Sequence, residues 1–300
     1  MILAVVFALA AALANAVNLM TQHKASIGAP GRVKGWRLAL YLPRQPLWLL
    51  GVAAAIGSFV FQALALHNGP LSVVQPLLIT ELVFVLVLRQ VWIHQDIARA
   101  AWASVGVVCV ALAVFLSVGE PTGGHPAPAP REWLSAGLVF GGAIAVLAVA
   151  GLRGSPARRA AALATAEALT AALEASFLKT ATQTLSVSGI GGMLATWAVY
   201  AFIVATITGG LLQQGALHVG PLSVSQPLMV IIDPFASIIL SVWLFGEHFT
   251  DSPAKLAVAV VAFAAMAAGV IMLTRTAPQD LRPSEPAGSS PSQPPGSGDT

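Results

Sequence analysis

Five ionisable side chains interrupt long apolar stretches of the chain: Glu81, Glu167, Glu174, Lys179 and Asp233. A charged side chain at the centre of a membrane helix costs roughly 2.5–3.5 kcal/mol on insertion scales. We therefore expect these side chains to face the interior of a helical bundle, where carboxylates can bind a proton or hold a cation. Structural ion pairs that lock helices together are the alternative interpretation.

Their spacing predicts how these groups are arranged. Glu167 and Glu174 are seven residues apart, which at about 100° per residue places them on one face of a helix. Lys179 lies about 140° around the same helix from Glu174, so we expect it to pair with another helix. Glu81 and Asp233 fall near the middle of their apolar runs, which predicts a position near the centre of the membrane.

Uncharged amides accompany the ionisable groups. Asn15 and Asn18 are one turn apart in the first apolar run, and Gln75 and Gln226 each precede a proline. We expect Asn15 and Asn18 to bond across helices or to line the same path. The glutamines could donate hydrogen bonds to backbone carbonyls that the prolines leave unpaired. The five ionisable and four amide side chains are the predicted substrate or ion path.

Composition identifies the setting of these residues. The chain of 300 residues is 57% hydrophobic and 9% charged, whereas soluble domains carry roughly 25% charged residues. Apolar runs of about 20 residues, the length that crosses a bilayer as a helix, recur nine times. We predict an all-α, polytopic bundle with spans at 2–21, 46–67, 70–88, 100–118, 133–151, 161–183, 190–217, 221–245 and 256–274.

Basic residues alternate between the connections of these spans. Twelve lie on one side (Lys24, Arg32, Lys34, Arg37, Arg44, Arg89, Arg99, Arg153, Arg158, Arg159, Arg275 and Arg282), against Arg131 and Lys255 on the other. The side of the membrane whose loops carry more lysine and arginine is typically cytoplasmic. This predicts a cell-membrane protein with its N-terminus outside and its C-terminus inside, and with no nucleic-acid partner.

An internal repeat relates the two halves. The segment ALHNGPLSVVQPL (65–77) matches ALHVGPLSVSQPL (216–228) at 11 of 13 positions after a shift of 151 residues. Five predicted spans separate equivalent elements, so the copies should cross the membrane in opposite directions, which is the inverted repeat of many transporters.

The repeated motif predicts two helical hairpins. Gly69-Pro70 and Gly220-Pro221 should end one helix and begin the next, because glycine tolerates the turn and proline suits a first helical position. Pro76 and Pro227 lie inside the following helices, where each removes one backbone hydrogen bond. These prolines are expected either as satisfied structural kinks or as bending points along a path.

We divide the chain into a first repeat (1–132), a connecting span with a basic loop (133–159), a second repeat (160–276) and a disordered cytoplasmic tail (277–300).

Gly137 and Gly141 form a GxxxG motif, which we interpret as close helix packing rather than dimerisation, although a homodimer is possible.

The segment QPLMVIIDPFASIILSVWLFGEHFT (226–250) resembles the proline-containing helix of EamA-like members of the drug/metabolite transporter superfamily, which ends in Leu-Gly-Glu. The first copy, QPLLITELVFVLVLRQ (75–90), lacks the Gly-Glu ending. PLWLLGVAAAIGSFVFQALALHNGPLSVVQPL (46–77) after a basic loop, together with ASFLKTATQ (175–183), is similar to the NIPA-type magnesium transporters of that superfamily. The resemblance implies a helical carrier that works by alternating access, and it leaves the substrate open.

A secondary carrier of a small metabolite or ion is the leading functional prediction. A NIPA-like transporter of magnesium or another divalent cation is the alternative, with Glu81, Glu174 and Asp233 as oxygen ligands and Lys179 opposing the cation. A membrane protein without transport activity is a third possibility. No Walker A, Gly-x-Ser-x-Gly or His-Glu-x-x-His string occurs, so we predict neither an enzyme nor a cofactor.

Overall fold

A computed structural model of the protein describes residues 1–27, 45–94, 97–124 and 128–276. In chain order its elements are α1 (Ile2–Ile27), α2 (Pro46–Asn68), α3 (Leu71–Leu78), α4 (Glu81–Ile93), α5 (Arg99–Gly119), β1 (Thr122–Gly123), α6 (Pro130–Ala150), α7 (Pro156–Ala195), α8 (Trp197–Val219), α9 (Leu222–Phe245), β2 (Glu247–His248) and α10 (Pro253–Thr276). The basic loop at 28–44 and the predicted disordered tail from 277 lie outside these residues.

Nine stretches of helix in the described ranges are long and apolar enough to cross a membrane, counting α3 and α4 together as one stretch. This confirms the predicted all-α bundle and its number of membrane-length helices. The predicted start of the seventh span at residue 190 is wrong, because α8 begins at Trp197. The residues before it continue α7, whose helix is interrupted at Gly189 with φ of 67° and ψ of −171°.

Four packing relations build the bundle. Helix α1 packs against α2, α7 packs against α8, and α5 packs against α10. Helix α9 lies against α7 and also contacts α3. The principal core cluster draws buried side chains from most of these helices, including Leu66, Leu71, Val108, Leu240 and Phe245.

Helix boundaries repeat at the interval seen in the sequence. Helix α8 begins and ends 151 residues after α2, and α9 begins 151 residues after α3. Gly69 follows α2 with φ of −155°, and Gly220 follows α8 with φ of −152°, both in extended backbone. The turn itself therefore does not require glycine, and the expected reason for these glycines was wrong.

Close approach explains the two hairpin glycines. A Cβ atom at Gly69 would overlap the Cβ of Ala4 near the start of α1. A Cβ atom at Gly220 would lie 2.5 Å from the carbonyl oxygen of Pro156 and 2.6 Å from the Cβ of Ala160, at the start of α7. Each hairpin thus packs against the start of the helix that comes directly before it in the chain.

Alanine at either hairpin glycine should destabilise the protein by about 1–3 kcal/mol, because the added methyl group overpacks a helix contact. Thermal unfolding of Gly69→Ala and Gly220→Ala in detergent measures this loss. Gly57→Ala is the matched control, since a Cβ atom at Gly57 would have no neighbouring atom within 4 Å. Melting temperatures of the hairpin variants equal to that of the control would contradict the close-approach explanation.

The two proline-containing helices differ in continuity. Helix α3 ends two residues after Pro76, and Ile79 and Thr80 separate it from α4. In the second half α9 continues through Pro227 and also through Pro234, a further helix proline to which the repeat assigned no role. Pro234 directly follows Asp233 and removes the hydrogen bond that would reach the carbonyl of Val230.

Two of the connections between helices contain short strands. The two-residue strands β1 and β2 pair in antiparallel register, with Thr122 opposite His248, and this small sheet was not predicted.

Gly137 and Gly141 lie on an exposed face of α6, and a Cβ atom at either glycine would have no neighbouring atom within 4 Å. The predicted packing of this GxxxG motif against a neighbouring helix of the same chain is therefore wrong, and a homodimer stays a prediction.

Candidate substrate path and its closed end

Glu247 lies at the centre of a buried polar cluster at one end of the bundle. One carboxylate oxygen, Oε1, is 2.5 Å from Nζ of Lys179 and accepts a hydrogen bond of 2.7 Å from the backbone N–H of Leu71. The other, Oε2, accepts from the backbone N–H and the hydroxyl of Ser72, at 3.0 and 2.6 Å. We call Leu71, Ser72, Lys179 and Glu247 the Glu247 cluster.

Both charges of the cluster are withdrawn from solvent. The Glu247 side chain is fully buried, and the Lys179 side chain is 6% exposed. Nζ of Lys179 also lies 4.6 Å from the centroid of the Phe245 ring, a distance at which a cation is attracted to an aromatic face. A buried charge of this kind is tolerated only when it is paired and hydrogen-bonded, and four donors meet that condition for Glu247.

Local structure directs Glu247 into the bundle. Gly246 ends α9 in the left-handed region, with φ of 58°, where glycine is the favoured residue. Residue 247 then pairs with β1. Gly124 follows β1 with φ of +94°, and a Cβ atom there would lie 2.7 Å from the carbonyl oxygen of Phe245. The carboxylate caps the N-terminus of α3, where backbone N–H groups lack helical partners.

Lys179 was predicted to pair with another helix; it does pair outside its own helix, but with Glu247 in β2. The partner follows α9 rather than lying within it. The sequence patterns marked Gly246-Glu247 as a family-like ending but assigned Glu247 no role, and they did not single out Leu71 or Ser72. For Glu247 itself, the sequence signal was an acidic residue directly after a helix-terminating glycine.

A second set of charged residues lies between α7 and α9. Glu167, Glu174 and Asp233, which we call the acidic group, lie close enough for electrostatic interaction among their carboxylates. Oε1 of Glu174 accepts a hydrogen bond of 2.9 Å from the hydroxyl of Thr206 on α8. Oδ1 of Asp233 accepts one of 3.2 Å from the hydroxyl of Ser237. The predicted shared face of Glu167 and Glu174 is confirmed.

None of the three carboxylates of the acidic group forms an ion pair within the described ranges. Lys179, on the same helix as Glu167 and Glu174, is taken up by Glu247. The acidic group therefore carries no compensating cation from the part of the chain that the structure describes. A bound proton or a bound cation could supply that compensation.

Glu81 lies in a separate polar chain between α1 and α4. Nδ2 of Asn15 donates a hydrogen bond of 2.7 Å to Oε2 of Glu81, and Nδ2 of Asn18 lies 3.5 Å from Oδ1 of Asn15. Nε2 of Gln22, which is exposed, donates to Oδ1 of Asn18. The predicted contact of Asn15 with another helix is confirmed, and it links Glu81 to the surface through three amides.

Of the two glutamines beside the prolines, Gln75 does not make the predicted contact, and the predicted donation from Gln226 stays a prediction. Gln75 is 3% exposed, and its amide nitrogen has no hydrogen-bond partner in the described structure. It therefore does not donate to the carbonyl that Pro76 leaves unpaired. Gln226 is half-buried on α9. The expected donation from Gln75 is wrong, and a role of either amide in a path stays a prediction.

The three carboxylates predicted as ligands of a divalent cation do not converge on one site. Among the described residues no three or more histidine, cysteine, aspartate or glutamate side chains converge closely enough to hold a metal ion. Glu81, proposed as a ligand together with Glu174 and Asp233, contacts α1 instead.

Comparisons with known proteins give one full-length similarity. No protein-family model matches the chain, and no solved structure matches it. The chain is 29% identical over 282 residues to an uncharacterized protein of Corynebacterium glutamicum, a match that covers 92% of this chain and 96% of the relative. The similarity extends over nearly the full length of both proteins, and the relative's name states no activity.

Proposed function

We propose that the protein is a secondary carrier that moves a small metabolite or ion across the cell membrane by alternating access. The observation that carries this proposal is the acidic group. Three carboxylates lie between two membrane-length helices, and the described residues provide no cation to neutralise them. Ionisable side chains at membrane depth most often belong to substrate, ion or proton paths.

An inverted repeat is part of the proposal. The hairpin glycines occupy equivalent places, and helix boundaries recur after 151 residues. The polar contacts also correspond: Asn15 and Glu81 join α1 to α4, and Glu167 and Asp233, each 152 residues further along, interact between α7 and α9. Two such halves with opposite orientations form many secondary transporters, with their binding sites near the middle of the membrane.

The Glu247 cluster supports a conformation of the carrier that is closed on one side of the membrane. It joins the α2–α3 hairpin, α7 and the end of α9, at the end of the bundle for which the distribution of basic residues predicts the outer side. Opening of that side would require Glu247 to leave Lys179 and the N-terminus of α3. Pro227 and Pro234 lack backbone hydrogen bonds within α9, and helices bend most readily at such points.

The Glu247 cluster also indicates what the Gly246-Glu247 ending does. That ending follows the helix that resembles the drug/metabolite transporter superfamily. In this chain Gly246 ends the helix, and Glu247 fastens that end to the opposite half. We therefore retain membership of that superfamily as part of the proposal.

Transport of magnesium or another divalent cation is the second candidate. Lys179 was expected to oppose a cation, but its charge is paired with Glu247, which removes that objection. Mg²⁺ keeps several of its waters and needs only one or two carboxylates, such as Glu174 and Asp233. A partly hydrated ion is thus compatible with the acidic group, whereas a fully dehydrated one is not favoured by the ligand geometry.

A thermal-shift screen in detergent tests both candidates. A solute that binds the folded protein raises its melting temperature with the logarithm of ligand concentration over dissociation constant. We expect one class among amino acids, nucleosides, polyamines and divalent cations to stabilise the parent protein and to lose that effect in Asp233→Asn. Stabilisation by Mg²⁺ alone favours the second candidate. Equal stabilisation of parent and variant would contradict binding at the acidic group.

A further inference from the structure

A cavity of about 740 Å³ lies between α6, α7 and the start of α8. None of the residues predicted to form the substrate path lines it. Its volume falls in the range of roughly 300–1,000 Å³ that is common for small-molecule sites.

Three aromatic rings form one side of the cavity. Trp133 stacks on Phe177 with ring centroids 5.1 Å apart, and Trp197 meets Trp133 edge-on at 5.0 Å. Trp197 also meets Phe177 edge-on at 5.7 Å. Trp197 is 51% exposed, so the cluster offers ring surface to a ligand in stacked or edge-on geometry.

The polar side of the cavity presents hydrogen-bond acceptors. The hydroxyl of Thr180 donates to the carbonyl of Ser176 at 3.1 Å, and the hydroxyl of Thr184 donates to the carbonyl of Thr180 at 2.9 Å. Both oxygens therefore keep only acceptor capacity. Oε1 of Gln183 is buried and has no hydrogen-bond partner in the described structure. A buried acceptor without a donor is costly and marks a place where a ligand can supply one.

Charge and access limit the ligand further. Among the described residues that line the cavity there is no aspartate, glutamate, lysine, arginine or histidine. Leu134 and Val187, which also line the cavity, are 66% and 86% exposed on the surface of the helices. A ligand can therefore enter from the side of the bundle, and a neutral molecule meets no uncompensated charge.

We propose that this cavity binds a neutral, ring-containing molecule that donates a hydrogen bond to Gln183. Its ring lies against the cluster of Trp133, Phe177 and Trp197, and its O–H or N–H group points at Oε1 of Gln183. The site is separate from the acidic group, so it stands or falls independently of the proposed transport function.

Equilibrium dialysis of the full chain in nanodiscs tests the site with two matched probes. 2-Naphthol has a hydroxyl donor, and 2-methoxynaphthalene has the same rings without it. After subtraction of empty nanodiscs, we expect saturable binding of one 2-naphthol per chain, about five- to tenfold tighter than 2-methoxynaphthalene, as one neutral hydrogen bond to a buried acceptor provides. Partitioning into lipid favours the more apolar methoxy probe and cannot produce this preference.

Two variants identify the residue. Gln183→Leu should weaken 2-naphthol binding to the level of the methoxy probe, without lowering the melting temperature, because it removes an unsatisfied buried acceptor. Gln213→Leu, the same substitution at an exposed position on α8 outside the cavity, should leave binding unchanged. Equal affinities for the two probes, binding that does not saturate, or full binding by Gln183→Leu would overturn the proposal.

Discussion

Glu247→Gln is expected to destabilise the folded protein by about 3–5 kcal/mol, the range found when one partner of a buried ion pair is removed. The substitution leaves the Lys179 ammonium buried with no counter-charge. It also replaces a carboxylate at the N-terminus of α3 with a neutral amide, which interacts less favourably with the positive end of a helix. No other ion pair in the described residues is as completely buried.

Thermal unfolding in detergent measures this effect against a matched control. Glu120 pairs with Lys255 at 2.7 Å, but both side chains are about half exposed, so Glu120→Gln should cost roughly 0–1 kcal/mol. Combining Lys179→Met with Glu247→Gln removes both charges and should recover part of the loss. A single Glu247→Gln variant as stable as Glu120→Gln would show that the buried pair does not hold the helices together.

Asp233→Asn and Glu174→Gln are each expected to reduce solute counterflow into proteoliposomes by about 10- to 100-fold. Each change keeps the shape of the side chain and an oxygen for its hydrogen bond from Ser237 or Thr206. What is lost is a charge-assisted contact with the bound solute or ion, worth roughly 1.5–3 kcal/mol. The solute is the one that the thermal-shift screen identifies.

Glu120→Gln serves again as the control, because it removes a half-exposed surface carboxylate that is distant in sequence from the acidic group. All variants are compared at equal amounts of folded, inserted protein. Parent-like counterflow in both Asp233→Asn and Glu174→Gln would show that the acidic group is structural. The role of the Glu247 cluster would not be affected by that outcome.

The sequence was sufficient for features that depend on local composition. Length and apolarity indicated nine spans because a helix must cover the hydrocarbon thickness with apolar residues. The interval of 151 residues located both hairpins, and helical periodicity placed Glu167 and Glu174 together. The seventh span was placed too early, because the segment 189–192 contains no charged residue, although α7 is interrupted at Gly189.

Features that depend on tertiary packing could not be predicted from the sequence. Glu247 and Ser72 are 175 residues apart, and no periodicity relates a residue after one helix to the first turn of another. The unpartnered amide of Gln75 and the cavity beside Gln183 likewise depend on how helices meet. Lys179 lay between these cases: its need for a partner could be predicted from its burial cost, but the identity of that partner could not.

The orientation of the two hairpins tests the proposed inverted repeat most directly, because the proposed alternating access needs halves that face opposite sides of the membrane. His67 and His218 are exposed, equivalent positions next to the hairpin glycines. Cys109 is the one cysteine of the sequence. We would introduce His67→Cys or His218→Cys in a Cys109→Ala background and treat intact cells with a membrane-impermeant maleimide. We expect labelling of the His67→Cys protein in intact cells and of the His218→Cys protein only after permeabilisation. Labelling of both proteins from the same side would contradict the inverted repeat.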